Sequence, residues 1–134
     1  MVPVPVTLVA GSCAIMLNFW LGSRIGKYRH KYQVSVGDGG QEPLLRRMRA
    51  QANFIENAPL FLILLGALEI AGANRIGLAI LAALFMIARV SHAIGMDGGS
   101  AQSGRKYGIL LTALVSVALV VWALACVIRS CLLR

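Results

Sequence analysis

The sequence predicts an all-α integral membrane protein, a bundle of four transmembrane helices forming one domain over residues 1–134, on three observations. Of the 134 residues 58% are hydrophobic and 13% charged, against roughly 25% charged in a typical soluble domain. Met1–Ser23, Ile76–Ala88 and Tyr107–Ile128 carry no Asp, Glu, Lys or Arg over 23, 13 and 22 residues, and about 20 apolar residues cross a bilayer as a helix. The net charge of +8 is concentrated: Arg24, Lys27, Arg29, Lys31, Arg46, Arg47 and Arg49 lie together between the first two apolar segments. That pattern marks a cytoplasmic loop by the positive-inside rule rather than a nucleic-acid surface.

The first helix is predicted over about residues 4–22, with Pro3 and Pro5 near its start, where proline is tolerated. No cation precedes its apolar run, so it does not read as a cleaved secretory signal. Trp20 and Tyr28 fall where an interfacial aromatic belt belongs. The stretch from Arg24 to Pro43, basic and carrying Gly37-Asp38-Gly39-Gly40, is predicted to be the longest and least ordered loop. A second helix over about 44–73 has a polar first half and an apolar second half, with a kink expected at Pro59.

A third helix is predicted over about 74–93, ended by Gly98-Gly99-Ser100, and a fourth over about 104–128. Four spans put both termini on one side. The charge of the first loop and of Arg105-Lys106 makes the opposite side cytoplasmic. Cys13, Cys126 and Cys131 sit at no metal-ligand spacing and read as small buried hydrophobes. Zinc signatures, phosphate-cradling glycine loops and Ser/His/Asp arrangements are absent, so no metal and no nucleotide chemistry is expected.

Two anomalies point to a site. At 100° per residue, Arg46, Arg49, Asn53 and Glu56 fall in a helical sector of about 80°, with Gln51 on the opposite face. Such a stripe is either a salt-bridged interfacial face or a zwitterion-binding surface, offering guanidinium for carboxylate and carboxylate for ammonium. Arg105, in the first turn of the fourth helix, opposes the helix dipole. It is either a cation snorkelling to the headgroups or half of an anion site completed by the free N–H groups. Arg89 and His92 are one turn apart on the third helix. His92 reads as a polar group satisfied between helices, and Arg89 is placed to pair with Glu56.

The run Arg49-Ala50-Gln51-Ala52-Asn53-Phe54-Ile55-Glu56-Asn57-Ala58-Pro59 resembles the second-helix signature of the MAPEG family, the membrane-associated proteins in eicosanoid and glutathione metabolism. Ala88-Arg89-Val90-Ser91-His92 is similar to the family's third-helix motif. The resemblance implies a homotrimer binding glutathione between subunits near the cytoplasmic face. It implies that Arg49, Asn53, Glu56, Asn57, Arg89 and His92 surround the tripeptide and that Gln51 reaches it from the adjacent subunit. It further implies that Arg105 stabilises the thiolate. Asn57 and Met96 stand where the leukotriene-synthesising branch, or the family commonly, has tyrosine. The pattern is nearer the microsomal glutathione transferase or bacterial branch.

The implied activity is a membrane glutathione transferase or peroxidase. Glutathione would be the co-substrate and apolar electrophiles or lipid hydroperoxides would arrive from the bilayer, in a bacterial inner membrane. The alternative is a non-catalytic member that binds lipid or glutathione. A small four-helix multidrug transporter would carry a carboxylate in its first helix, and Met1–Ser23 has none. Gly66, Gly72, Gly77 and Ala83 are small enough to permit close helix packing.

Overall fold

The computed structural model describes residues 3–99 and 102–132, and Ser100 of the predicted break lies outside them. Four helices follow one another: α1 (Pro5–Tyr32), α2 (Glu42–Ile70), α3 (Arg75–Gly95) and α4 (Gln102–Leu132). All four are long and apolar enough to cross a membrane. At 1.5 Å per residue, the 28 residues of α1 span about 42 Å, more than the ~30 Å hydrocarbon core.

The basic segment after Gly22 is a continuation of α1, where a loop was expected. Gly26 is the only weak helix former between Arg24 and Tyr32, a deficit of about 1 kcal/mol. Arg29, His30 and Lys31 in the last turn favour the negative end of the dipole. The helix stops where Gln33 turns left-handed (φ 55°) and its N–H closes on the carbonyls of Arg29 and His30. The connection that follows turns at Gly37, Gly39 and Gly40, all at positive φ.

The other boundaries move by a few residues. The predicted second helix overran a turn at Gly72 (φ 81°). The Asn74 side chain then caps α3 by accepting from the Gly77 N–H at 3.0 Å. The fourth helix continues past Ile128 through Arg129, and α2 runs through Pro59 as one helix.

The core is a seam of large side chains, with Leu21, Leu44, Leu65, Leu78, Phe85 and Leu119 fully buried. Phe61 of α2 stacks on Phe85 of α3 with centroids 4.0 Å apart. Leu8, Ile15, Phe19, Val117, Val121 and Leu124 point outward, a distribution suited to a bilayer and not to water. Cys13 and Cys131 are also exposed, against the expectation of burial, because in lipid the outer face is apolar as well.

Small residues set the tightest crossing, between α3 and α4. A Cβ on Gly108 would stand 2.6 Å from the His92 nitrogen and 2.7 Å from the Ala88 carbonyl oxygen. One on Gly104 would stand 2.9 Å from the Ser91 carbonyl oxygen, and one on Gly95 would collide with the Arg105 backbone. Gly66 and Gly77 do allow close approach, to Thr7 and Trp122, whereas Gly72 serves a turn and Ala83 lines an open groove between α1 and α3.

At the end of the bundle away from Arg105, Glu69 secures α1. Val4, the N-cap, offers no side-chain acceptor, and the first turn has no acid. The Glu69 carboxylate accepts from the Val6 N–H (2.9 Å), the Thr7 N–H (2.8 Å) and the Thr7 hydroxyl (2.7 Å), with its side chain wholly shielded. It caps another helix's N-terminus and compensates its dipole. Glu69→Ala is expected to lower stability by about 2–4 kcal/mol, because charge-assisted bonds to orphan donors are lost together. Glu69→Gln should fall between that variant and the parent in thermal melts of the detergent-solubilised protein.

Candidate functional site

At the Arg105 end of the bundle, α2, α3 and α4 enclose a partly open polar cavity of about 150 Å³. Its wall is built by helical periodicity. Arg49, Ala52, Asn53 and Glu56 share one face of α2, His92 of α3 lies one turn before Met96 at its C-cap, and Arg105 and Ile109 lie one turn apart on α4. The glycine crossing brings the first turn of α4 against the end of α3, which carries Arg105 beside His92. His92 is buried, while Arg49, Glu56 and Arg105 are exposed at the mouth.

Five of the predicted site residues therefore converge: Arg49, Asn53, Glu56, His92 and Arg105. His92 lines this cavity as well as lying buried between helices. Among the described residues Arg49 and Glu56 form no ion pair with each other or with any other group, so the salt-bridged-face reading of the stripe has no support.

The remaining candidates go elsewhere. Arg46 leaves the stripe to pair with Glu42 one turn earlier (2.6 Å). Gln51 faces α1 and donates to the Asn18 carboxamide oxygen at 3.1 Å. The Asn57 side chain donates back to the Asn53 carbonyl at 2.7 Å and does not line the cavity. Arg89 does not pair with Glu56. It is buried, and its Nη1 donates to the Asn53 Oδ1 at 2.5 Å, behind the cavity wall. The geometric reason is that Asn53 and Glu56 are separated along α2, and Asn53 is the one that faces Arg89 across the α2–α3 seam. Met96 does line the cavity, to which it presents a thioether.

A clasp holds the same end together. Asp97, next to Met96, takes Arg24 of α1 and Arg47 of α2, the latter at 2.9 Å. Arg24 lies over the Trp20 ring and Arg47 over the Tyr28 ring, 3.6 Å from its centroid. Arg24 also donates to the Ala93 carbonyl at 3.3 Å. One carboxylate thus fixes the start of the α3–α4 connection against two helices. The sequence reading missed Asp97, Glu69 and the glycine crossing. For the crossing a signal was present, since Gly104 and Gly108 have the small-xxx-small spacing of close helix pairs. For Asp97 there was none, because its partners are distant in the chain by up to 73 residues.

The cavity combines guanidinium, carboxylate, carboxamide and imidazole groups at one end of a membrane bundle, a set that can hold a small zwitterion by its ends. No curated protein matches the chain. The profile of the MAPEG family matches residues 7–125, nearly the whole length, and the chain belongs to the MAPEG family.

Proposed function

We propose that the protein is a membrane-bound glutathione transferase or peroxidase. The observation that carries this reading is the convergence of Arg49, Glu56 and Arg105, each without an ion-pair partner among the described residues, with Asn53 on one cavity in a MAPEG chain. The charges match. In and directly behind the wall, three guanidiniums, Arg49, Arg89 and Arg105, stand against one carboxylate, Glu56. Glutathione in its thiolate form carries two carboxylates and a thiolate against one ammonium, the same excess with opposite sign. Arg49 would take a carboxylate, Glu56 the ammonium and Arg105 the sulfur.

The chemistry follows from the thiol. Free, with a pKa near 8.5, it is mostly protonated at neutral pH, and the thiolate is the nucleophile. A guanidinium within a few ångströms favours the charged form. The thiolate would then attack an apolar electrophile, forming an S–C bond as the leaving group departs with its electron pair. With a lipid hydroperoxide, two glutathione molecules would be oxidised to the disulfide while the hydroperoxide is reduced to alcohol and water. The substrate would enter sideways from the bilayer, past Ile109.

A cavity of about 150 Å³ is small beside the ~300–1,000 Å³ of sites that enclose a whole small molecule. A homotrimer, in which a neighbour supplies the outer wall and its Gln51 reaches across, is part of this proposal. So is the orientation. Nine of the 13 Lys and Arg residues lie on or next to the two connections at the cavity end, which favours a cytoplasmic cavity, in reach of cytosolic glutathione, and termini outside. A bacterial inner membrane is the expected setting.

The test is calorimetry of glutathione binding to protein in nanodiscs, with ultraviolet absorbance for the thiolate and turnover of a small chloronitrobenzene. Binding with a thiolate signal and turnover supports the enzyme. Binding without turnover assigns a non-catalytic binder, and no binding sinks the reading. Arg49→Ala is expected to weaken glutathione ten- to a hundredfold, the equivalent of about 1.5–3 kcal/mol for one charged hydrogen-bonded contact at a half-open mouth. Parent-like affinity in that variant would remove α2 from the site.

A further inference from the structure

We propose that Arg89 is a positioning residue that fixes the polarity of Asn53, making this point of the cavity wall a hydrogen-bond donor to a carboxylate or peptide carbonyl of the ligand. Arg89 is 3% exposed, and among the described residues no carboxylate pairs with it. Its only polar contact there is Nη1 to Asn53 Oδ1, and its buried Nε has no partner. A guanidinium has donors and no acceptor, and a carboxamide has one oxygen and one amino group. The atom of Asn53 that meets Arg89 must therefore be the oxygen. Asn53 also lines the cavity, so the amino group is what remains for a ligand.

Two consequences follow. The carboxamide cannot flip to accept from an ammonium without setting two sets of donors against each other, so this point of the wall discriminates between the ends of a zwitterion. The Asn53 dipole also turns its positive end towards the cavity, passing on part of the field of a charge that never touches the ligand. Glu56, one turn further along α2, is the carboxylate left to receive an ammonium. The inference deepens the glutathione reading and rests on it for the identity of the ligand.

The experiment is a double-mutant cycle on the full chain in nanodiscs, reading glutathione affinity by calorimetry and folding by thermal midpoint. Arg89→Met, which keeps length and removes the donors, is expected to weaken glutathione about five- to twentyfold, the scale of one hydrogen bond. Arg89→Lys, which keeps a donor, should stay within about threefold of the parent. In an Asn53→Ala background Arg89→Met should produce no further loss, since its effect passes through Asn53. Equal loss in both backgrounds would show a merely structural role and overturn the proposal. So would parent-like affinity of Arg89→Met. If Arg89→Met is not recovered folded, Asn53→Asp decides: a carboxylate satisfies Arg89 but cannot donate, so its affinity should fall at least as far as that of Asn53→Ala. Parent-like binding by Asn53→Asp would refute the donor role. A parent protein that binds no glutathione sinks the function reading and this inference with it, whereas a binding parent with additive effects sinks the inference alone.

Discussion

Replacing Arg105 by alanine is expected to lower the conjugation rate at pH 7, measured at saturating glutathione, at least severalfold and at most about thirtyfold. The ceiling comes from the thiol: at a pKa near 8.5 it is about 3% ionised at pH 7, so complete ionisation can gain no more than ~30-fold. A cation close by lowers a pKa by about 1–3 units, which at pH 7 corresponds to roughly eight- to thirtyfold in thiolate fraction. Part of the loss is offset because the more basic thiolate of the variant is intrinsically more nucleophilic.

The sign with pH is fixed by the same linkage. The parent's advantage exists where its bound thiol is ionised and free thiol is not, and it disappears as pH rises through about 8.5. Below about pH 5, glutathione binds as the thiol in both proteins, so affinities should agree there. At neutral pH the variant should bind more weakly, because ionisation no longer favours the complex. Parent-like rates across this range would exclude Arg105 as the activating cation, and a uniform rate loss at every pH would mean that it only shapes the cavity.

Gly108→Ala is expected to destabilise the bundle and to disturb the site with it. The added carbon would meet backbone, the His92 nitrogen at 2.6 Å and the Ala88 oxygen at 2.7 Å, which cannot rotate aside as a side chain can. Overpacking of this kind costs about 1–3 kcal/mol or more, and it is relieved only by separating α3 from α4. Because Arg105 lies one turn before Gly108 and His92 lies at the crossing itself, the separation should also weaken glutathione binding. Leu110→Ala, on the outward face of the same helix, serves as the control and should leave affinity unchanged. A Gly108→Ala protein with the melting midpoint and affinity of the parent would show that the crossing is looser than described.

The class of fold and half of the candidate site are legible in the residues read alone. Hydropathy fixes four spans because each helix must satisfy its backbone internally and present an apolar surface along some 30 Å, and that demand is written residue by residue. The same locality made the α2 wall legible, since Arg49, Asn53 and Glu56 share a face through helical periodicity alone. The end of α1 departs from the expected loop because a run of cations does not by itself break a helix. A helix leaving the membrane can carry its cations on into water, and this one does so as far as Tyr32, where left-handed Gln33 caps it.

How polar groups on different helices pair is settled by packing alone. Buried donors and acceptors must find partners, but which one each finds depends on how the helices cross. That choice sent Arg89 to Asn53 and not to Glu56, Asp97 to Arg24 and Arg47, and Glu69 to the start of α1. The crossing is itself set by the absence of side chains at Gly95, Gly104 and Gly108, where two backbones can touch. Arg105 therefore reaches the cavity through packing at glycines, which carry no charge and no hydropathic signal of their own.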